Sequence, residues 1–454
     1  MLRIIVAHSE NVDTACTLED LLSQCRHQLD GQTPGAAILF SALQINESEL
    51  LSGLYEAFPD MSLIGCTTDG ELSSQGGFKE DSVSLTLFVS DTITFSAGLG
   101  REISKGHEKA CQQALSQAGF VQGGETKLCI TTPESTTTSG QQLLEALKKS
   151  LGNTIPVAGG VSADYWQFKG TRQYCGTEVV SDALPVLLFS GPIIASFGVA
   201  SGWKPVGEPG IVTRSTGNLV HEINGEPAIN YYQRFLGKHA QPTGDRPLAF
   251  LGDDDEVVGL RAPAGSVDNN GGVPFFADVP QGSRIQLTVA NRDDIIDGSR
   301  TSIQNALANY PEGMRPDAGL FFSCSGRKYI LGSRVSEEES IIREELPGIP
   351  FTGFYGYGEI GQTVGDAQGA RFHNETFVSV LIGSENTPSA AHTPIPRPQA
   401  KSQTVPTYEE LKQQNAILQA RLSRSEIHRK LLEETKDQTD ILSLVSGCLK
   451  NDCL

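Results

Sequence analysis

Arg327 closes the run GLFFSCSGR, and Tyr355, Tyr357 and Glu359 follow in GFYGYGEIGQ, Gly353 to Gln362. These residues bring together a guanidinium, a carboxylate and two phenolic rings. A guanidinium pairs bidentately with a carboxylate, and a carboxylate accepts from an ammonium. Rings on a glycine-rich loop cover an organic ligand and keep a hydroxyl for a polar contact. Such a set suits a small ligand, for instance an amino acid. Each residue also has a plainer reading. Arg327 can form a surface ion pair with the acidic run EEES, and one tyrosine can enter the core while the other shields a sheet edge. A phosphate cradle fits poorly, because the glycines lead to a carboxylate and another strand instead of opening a helix.

The same loop occurs earlier as GCTTDGEL, Gly65 to Leu72: Gly, four residues, Gly-Glu and an aliphatic. It offers Cys66, Thr67, Asp69 and Glu71. Glu71 and Glu359 either accept a ligand's amine or tie off their loops on backbone donors. Apolar runs precede both loops (AILFSALQ; GLFFSCSGR), then helical stretches (ESELLSGLYEAF; SEEESIIREEL), and DSVSLTLF and ETFVSVLI follow them. A degenerate third copy runs from KLCITTPE through SGQQLLEALKKSLG and IPVAGGVSADY to PVLLF, with Asp164 and Tyr165 in place of Gly-Glu. Each module reads strand, helix, strand, glycine loop, strand. The fold class is α/β, with loops gathered at strand ends, where open sheets bind ligands.

The formal charge of −19 argues against a nucleic-acid partner, which needs cationic surface. The N-terminus MLRIIVAHSE does not read as a secretory signal. Ala183 to Ala200 carries no charge, but Pro185, Gly191 and Pro192 divide it into two buried strands, so no membrane partner is expected. Nine cysteines without a CxxC pair read as reduced thiols in a cytoplasmic protein. Cys66, heading its loop, is the candidate exposed thiol, and Cys324 reads as a buried structural thiol. Residues 386–406, rich in Pro, Ser, Thr and Ala, form a flexible linker. Residues 407–454 form a C-terminal helix whose Tyr408, Leu411, Asn415, Leu418 and Leu422 mark a short heptad seam, so a homodimer is expected through a coiled coil.

GCTTDGEL, the run VTRSTGNLVHEINGEPA (Val212 to Ala228), PFTGFYGYGEIGQ and FHNET resemble, in that order, the paired FIST N and FIST C domains. The resemblance divides the body into residues 1–195 and 196–385. It implies a bacterial signal-transduction input module that binds a small ligand, such as an amino acid or metabolite, and signals to an output protein such as a histidine kinase or a cyclase-type domain. Some members of the family bind haem and sense nitric oxide. That alternative would take His373 or His221 as the axial ligand, although the sequence requires no cofactor or metal. HExxH, GxSxG, a Walker loop and an H-R-D loop are missing, so the chain is expected not to be an enzyme. The remaining reading, a thiol enzyme using Cys66 or Cys324, lacks a nameable base.

Overall fold

A computed structural model describes residues 2–134, 136–363 and 369–385. The expected linker and C-terminal coiled-coil helix lie outside the described residues. Contacts group the described residues into one unit. Among the described residues no helix is long and apolar enough to cross a membrane.

The unit is a mixed α/β body of three modules with one order of elements. The first has strand Leu2–Ser9, helix Thr14–Leu29, strand Ala36–Ser41, helix Glu47–Ala57, strand Ser62–Thr67 and closing strand Val83–Ser90. The second repeats this as Thr94–Arg101, His107–Gln117, Thr126–Thr131, Gly140–Ser150, Val157–Gly160 and Ala183–Ser190. The third runs Ile193–Ala200, Arg292–Asn309, Ala318–Cys324, Ser336–Glu345, Phe351–Gly356 and Phe377–Ser384. Between its first two elements residues 201–291 are inserted, forming a further sheet and the helix Ala228–Leu236. The opening strand and helix of each module were not part of the repeat read from sequence. The uncharged run 183–200 is indeed two strands, and they belong to different sheets.

Local chemistry sets the elements. Asp13, Asn46, Ser139 and Asn291 cap four of the helices by accepting from amides three residues on. The second strand of each module is buried on both faces, and its alternation sorts the side chains. Ala36, Ile38 and Phe40 point into a core shared by all three modules, while Ala37 and Leu39 pack under the helices of their own module. Leu128 and Ile130, and Leu320 and Phe322, join the same shared core. Each fully buried Ile, Leu or Phe there contributes roughly 1.5–3 kcal/mol of transfer free energy.

The modules are interlocked by exchange. After its glycine loop, each chain segment leaves its own sheet and adds a hairpin to another. Glu71–Ser73 and Gly77–Lys79 extend the third module's sheet, Gln173–Cys175 and Glu178–Val180 the first, and Glu359–Gly361 and Arg371–His373 the second. The first glycine of each loop motif has one packing reason. A Cβ at Gly65, Gly159 or Gly353 would lie within 2.0 Å of the carbonyl oxygen of Leu39, Thr131 or Phe321 on the adjacent strand. Only glycine lets the paired strands approach that closely.

Candidate functional site

The exchanged hairpins fix which residues of the three loops are equivalent. Glu71 pairs with Phe354, Glu359 with Gly160 and Gln173 with Cys66, each the residue after the close-approach glycine. Gln173, not Asp164 or Tyr165, therefore occupies the place of the repeat glutamate. An insertion of eight residues within 164–172 displaced it in sequence. All three side chains are fully buried. Glu71 accepts from the hydroxyls of Thr68 and Ser82. Glu359 accepts from the Thr376 amide at 3.1 Å and its hydroxyl at 2.8 Å. Gln173 Nε2 donates to Ser162 Oγ at 2.8 Å and Thr171 Oγ1 at 2.9 Å. Burial pushes the Glu71 carboxyl up to about 7, against the two hydroxyl donors, and pushes Glu359 well above the usual carboxylate range. These groups tie off the loops from inside the body; Glu359 Oε1 and Gln173 Oε1 are left buried without a hydrogen-bond partner.

Two further sequence candidates leave the site. Arg327 and Tyr355 are both fully buried. Arg327 does pair with the run EEES, through Glu338, but in the core and not at the surface. Its Nη2 and Nε meet Glu338 Oε1 at 2.6 and 3.2 Å, and Nη2 also donates to Ser299 Oγ and to the Ile295 carbonyl. Tyr355 and Ser323 donate to the other Glu338 oxygen. With its guanidinium committed inside, Arg327 is not a ligand clamp. Cys66 is buried too, correcting the exposed thiol expected from sequence. Burial raises the Cys66 and Cys324 thiols well above their usual range, and nearby Glu71, or Glu359 and Glu375, add to that. A nucleophilic thiolate is disfavoured at both. Thr67, buried, accepts from the Arg172 amide at 3.0 Å and seats the far end of the insertion.

What remains is the group around Asp69 and Tyr357. Asp69 Oδ1 accepts from the Tyr165 amide at 2.6 Å. Its Oδ2 is buried without a partner, and the Ser325 hydroxyl beside it completes no hydrogen bond of ordinary geometry. Burial raises the Asp69 carboxyl, opposed by Ser325, Lys328 and the Tyr165 amide. Lys328 donates to the Asp69 carbonyl, pairs with Glu80 at 2.7 Å and stands 5.2 Å over the Tyr165 ring. Above Asp69 runs the insertion, pinned by Tyr357: its hydroxyl donates to Asp164 Oδ1 at 2.6 Å and accepts from the Trp166 amide. Asp164 in turn accepts from the amides of Phe168, Lys169 and Gly170. Burial opposes ionisation of Asp164, but Tyr357 and these amides outweigh it and hold its pKa below the usual range.

This loop is strained. Tyr165, Trp166 and Phe168 have φ of 56°, 59° and 49°, and each bulky residue in the left-handed region costs on the order of 1–3 kcal/mol. The Trp166 and Phe168 rings nonetheless gather outside. Phe168 stacks on Tyr357 at 5.0 Å and on Phe276, from the 201–291 insertion, at 6.3 Å; Trp166 meets Tyr357 at 5.4 Å. Trp166 and Phe168 are 39% and 49% exposed. Sequence reading found Asp69 and Tyr357 through the repeat, but missed Trp166, Phe168 and Phe276. The cluster of aromatics after Asp164 was its available signal.

The haem candidates are apart. His373 is buried in the exchanged hairpin opposite Glu359, with Nε2 3.2 Å from the Gly361 carbonyl oxygen. His221 lies in the 201–291 sheet against Thr216 Oγ1 at 3.1 Å. Among the described residues no three His, Cys, Asp or Glu side chains group to hold a metal ion.

Comparison with known proteins places these features. The family model for the FIST N domain matches residues 35–226, and that for the FIST C domain residues 228–362. An uncharacterized protein of Mycobacterium tuberculosis is 24% identical over 381 residues, spanning 80% of this chain and 96% of the relative. One from Methanocaldococcus jannaschii is 25% identical over 330 residues, spanning 65% and 60%. Among solved structures, cyanuric acid hydrolase from A. caulinodans aligns over 85% of this chain and 100% of its own, at 9% identity and a TM-score of 0.34. A second cyanuric acid hydrolase structure covers 44% and 72% at 9% identity and 0.25. The expectation that the chain is not an enzyme runs against these solved neighbours, which are hydrolases, but a likeness so distant assigns the chain neither a reaction nor the lack of one.

Proposed function

Because the chain belongs to the FIST N and FIST C family, whose domains are sensory modules of signal transduction, we propose that it senses a small ligand at Asp69, beneath the strained loop 164–170. The observation that carries this reading is the buried Asp69 Oδ2, whose one neighbouring donor, the Ser325 hydroxyl, completes no hydrogen bond of ordinary geometry, under a loop held in unfavourable conformations. An unpaired buried acceptor is costly, so a ligand bringing an ammonium or amide donor gains that bond. Tyr357, Trp166 and Phe168 supply apolar cover.

Displacing the Tyr165 amide or the Tyr357 hydroxyl lets the loop relax its left-handed residues. That provides two states for the ligand to bias. An ammonium prefers the ionised carboxylate, so binding strengthens as pH rises through the raised Asp69 pKa. The same proposal includes a cytoplasmic homodimer signalling to an output partner of the histidine-kinase or cyclase type. In this reading residues 1–195 carry the first two modules, and residues 196–385 the third with its insertion.

A thermal-shift panel of amino acids, aromatic amines and polyamines tests it. A subset should raise Tm for the wild type and fail to do so for Asp69→Asn. A panel without response, or a response unchanged in Asp69→Asn, contradicts the assignment.

A further inference from the structure

A recess lies away from Asp69, where the 201–291 sheet meets the helix Gly140–Ser150 and the hairpin strand Arg371–His373. It has a volume of about 300 Å3, at the lower end of ligand pockets. Lys148, Arg261, Arg284 and Arg371 line it, against the single carboxylate of Glu145. Such a cationic concentration runs against a chain whose formal charge is −19. Arg284 brings its own counter-ion in Asp255, and Lys148 Nζ donates to the Ala370 carbonyl at 2.9 Å.

Arg261 is the unusual member. It is 5% exposed, yet every acceptor it meets is neutral. Nη1 donates to the Leu260 and Phe372 carbonyls at 2.8 and 3.1 Å, Nη2 to Gln141 Oε1 at 2.7 Å, and Nε to the Asp278 carbonyl at 3.1 Å. The Asp278 carboxylate is instead engaged by Ser139 and Gln142. Four bonds leave one of the five guanidinium protons, on Nη2, unused. A buried cation without a counter-charge is unfavourable. Here burial pulls the guanidinium down to about 10, opposed by the Asp278 charge and helped by that of Arg371. The guanidinium also lies 5.1 Å over the Phe250 ring, which with Val258 gives the recess an apolar wall.

We infer that this recess binds a small organic anion, with a carboxylate or phosphate head on Arg261 and Lys148 and an apolar body against Phe250 and Val258. The bound anion supplies the directly bonded counter-charge that Arg261 lacks. It also bridges three separate chain segments: the inserted sheet, the second module's helix and the third module's exchanged hairpin. None of these residues takes part in the Asp69 site, so either assignment can fail without the other.

Isothermal titration of the full chain with benzoate and phenyl phosphate, and with benzamide as neutral control, tests the inference. At least one of the two anions should bind with Kd at or below about 1 mM, and more weakly as salt rises, with benzamide not binding. Arg261→Gln should weaken that anion at least about tenfold and Lys148→Ala about threefold, equivalent to the loss of one buried and one partly solvated charge contact. If Arg261→Gln does not fold, Lys148→Ala and Phe250→Ala decide, each expected to weaken binding. Failure of both anions to bind at 10 mM (roughly tenfold above the expected Kd), equal binding of benzamide, or unchanged affinity in the folded variants overturns it.

Discussion

Arg327 and Arg261 are both buried arginines, and the protein treats them in opposite ways. Arg327 sits under the third module's helix with Glu338 in direct contact, and Tyr355, Ser323 and Ser299 complete the network. Arg261 sits at the junction of three chain segments with neutral acceptors alone. The first arrangement is closed: charge is balanced and the carboxylate's oxygens are spoken for. The second has its hydrogen bonds but no carboxylate among its acceptors. The difference separates a group that holds the fold from a group poised to take an anion, and burial alone would not have distinguished them.

The comparison breaks most visibly at Glu338. Glu338→Gln leaves Arg327 buried and unpaired, which should cost about 3–5 kcal/mol in urea unfolding. A loss below about 1 kcal/mol would mean that the pair is not what anchors this region.

A second test concerns charge where none is paired. Burial raises the Glu71 carboxyl from its ordinary 4.5 to about 7, so the native state holds its proton more tightly than the unfolded chain. Its contribution is complete below pH 4.5 and is lost as pH rises through about 7, on the order of 3 kcal/mol from the shift alone. Gln173 already fills the equivalent place in the second module. Glu71→Gln should therefore fold and show a flatter stability profile between pH 4.5 and 7.5, and Glu359→Gln should move in the same direction. An unchanged profile would place Glu71 in an ionised, well-solvated state.

The smallest expected effect is at Arg261. Arg261→Gln removes donors from three carbonyls but also removes an uncompensated charge, so the net loss should be about 1–2 kcal/mol. A loss equal to that of Glu338→Gln would erase the distinction between the two arginines.

Much of the architecture was legible because two loops share Gly, four residues, Gly-Glu, and the surrounding apolar runs recur in order. The opening strands and helices of the modules escaped because runs such as TFSAGLGR carry small residues where they meet a helix, instead of a bulky alternation. Gln173 escaped because the insertion moved it out of the motif's spacing, and only strand register restores the equivalence. At the site, sequence supplied Asp69 and Tyr357 but could not weigh Arg327 against its alternatives. The acidic run that reads as surface is folded so that Glu338 faces inward beside Ile341 and Ile342. Arg261 carried no motif at all, since its significance lies in which groups do not surround it.

Hydrogen exchange across residues 164–170, read by mass spectrometry, tests most directly whether the loop over Asp69 is the sensing element. With the panel compound that raises Tm most, exchange in this loop should change in the wild type and stay as in the free protein for Asp69→Asn. Exchange unaltered in the wild type while Tm still rises would put the ligand elsewhere and contradict the assignment.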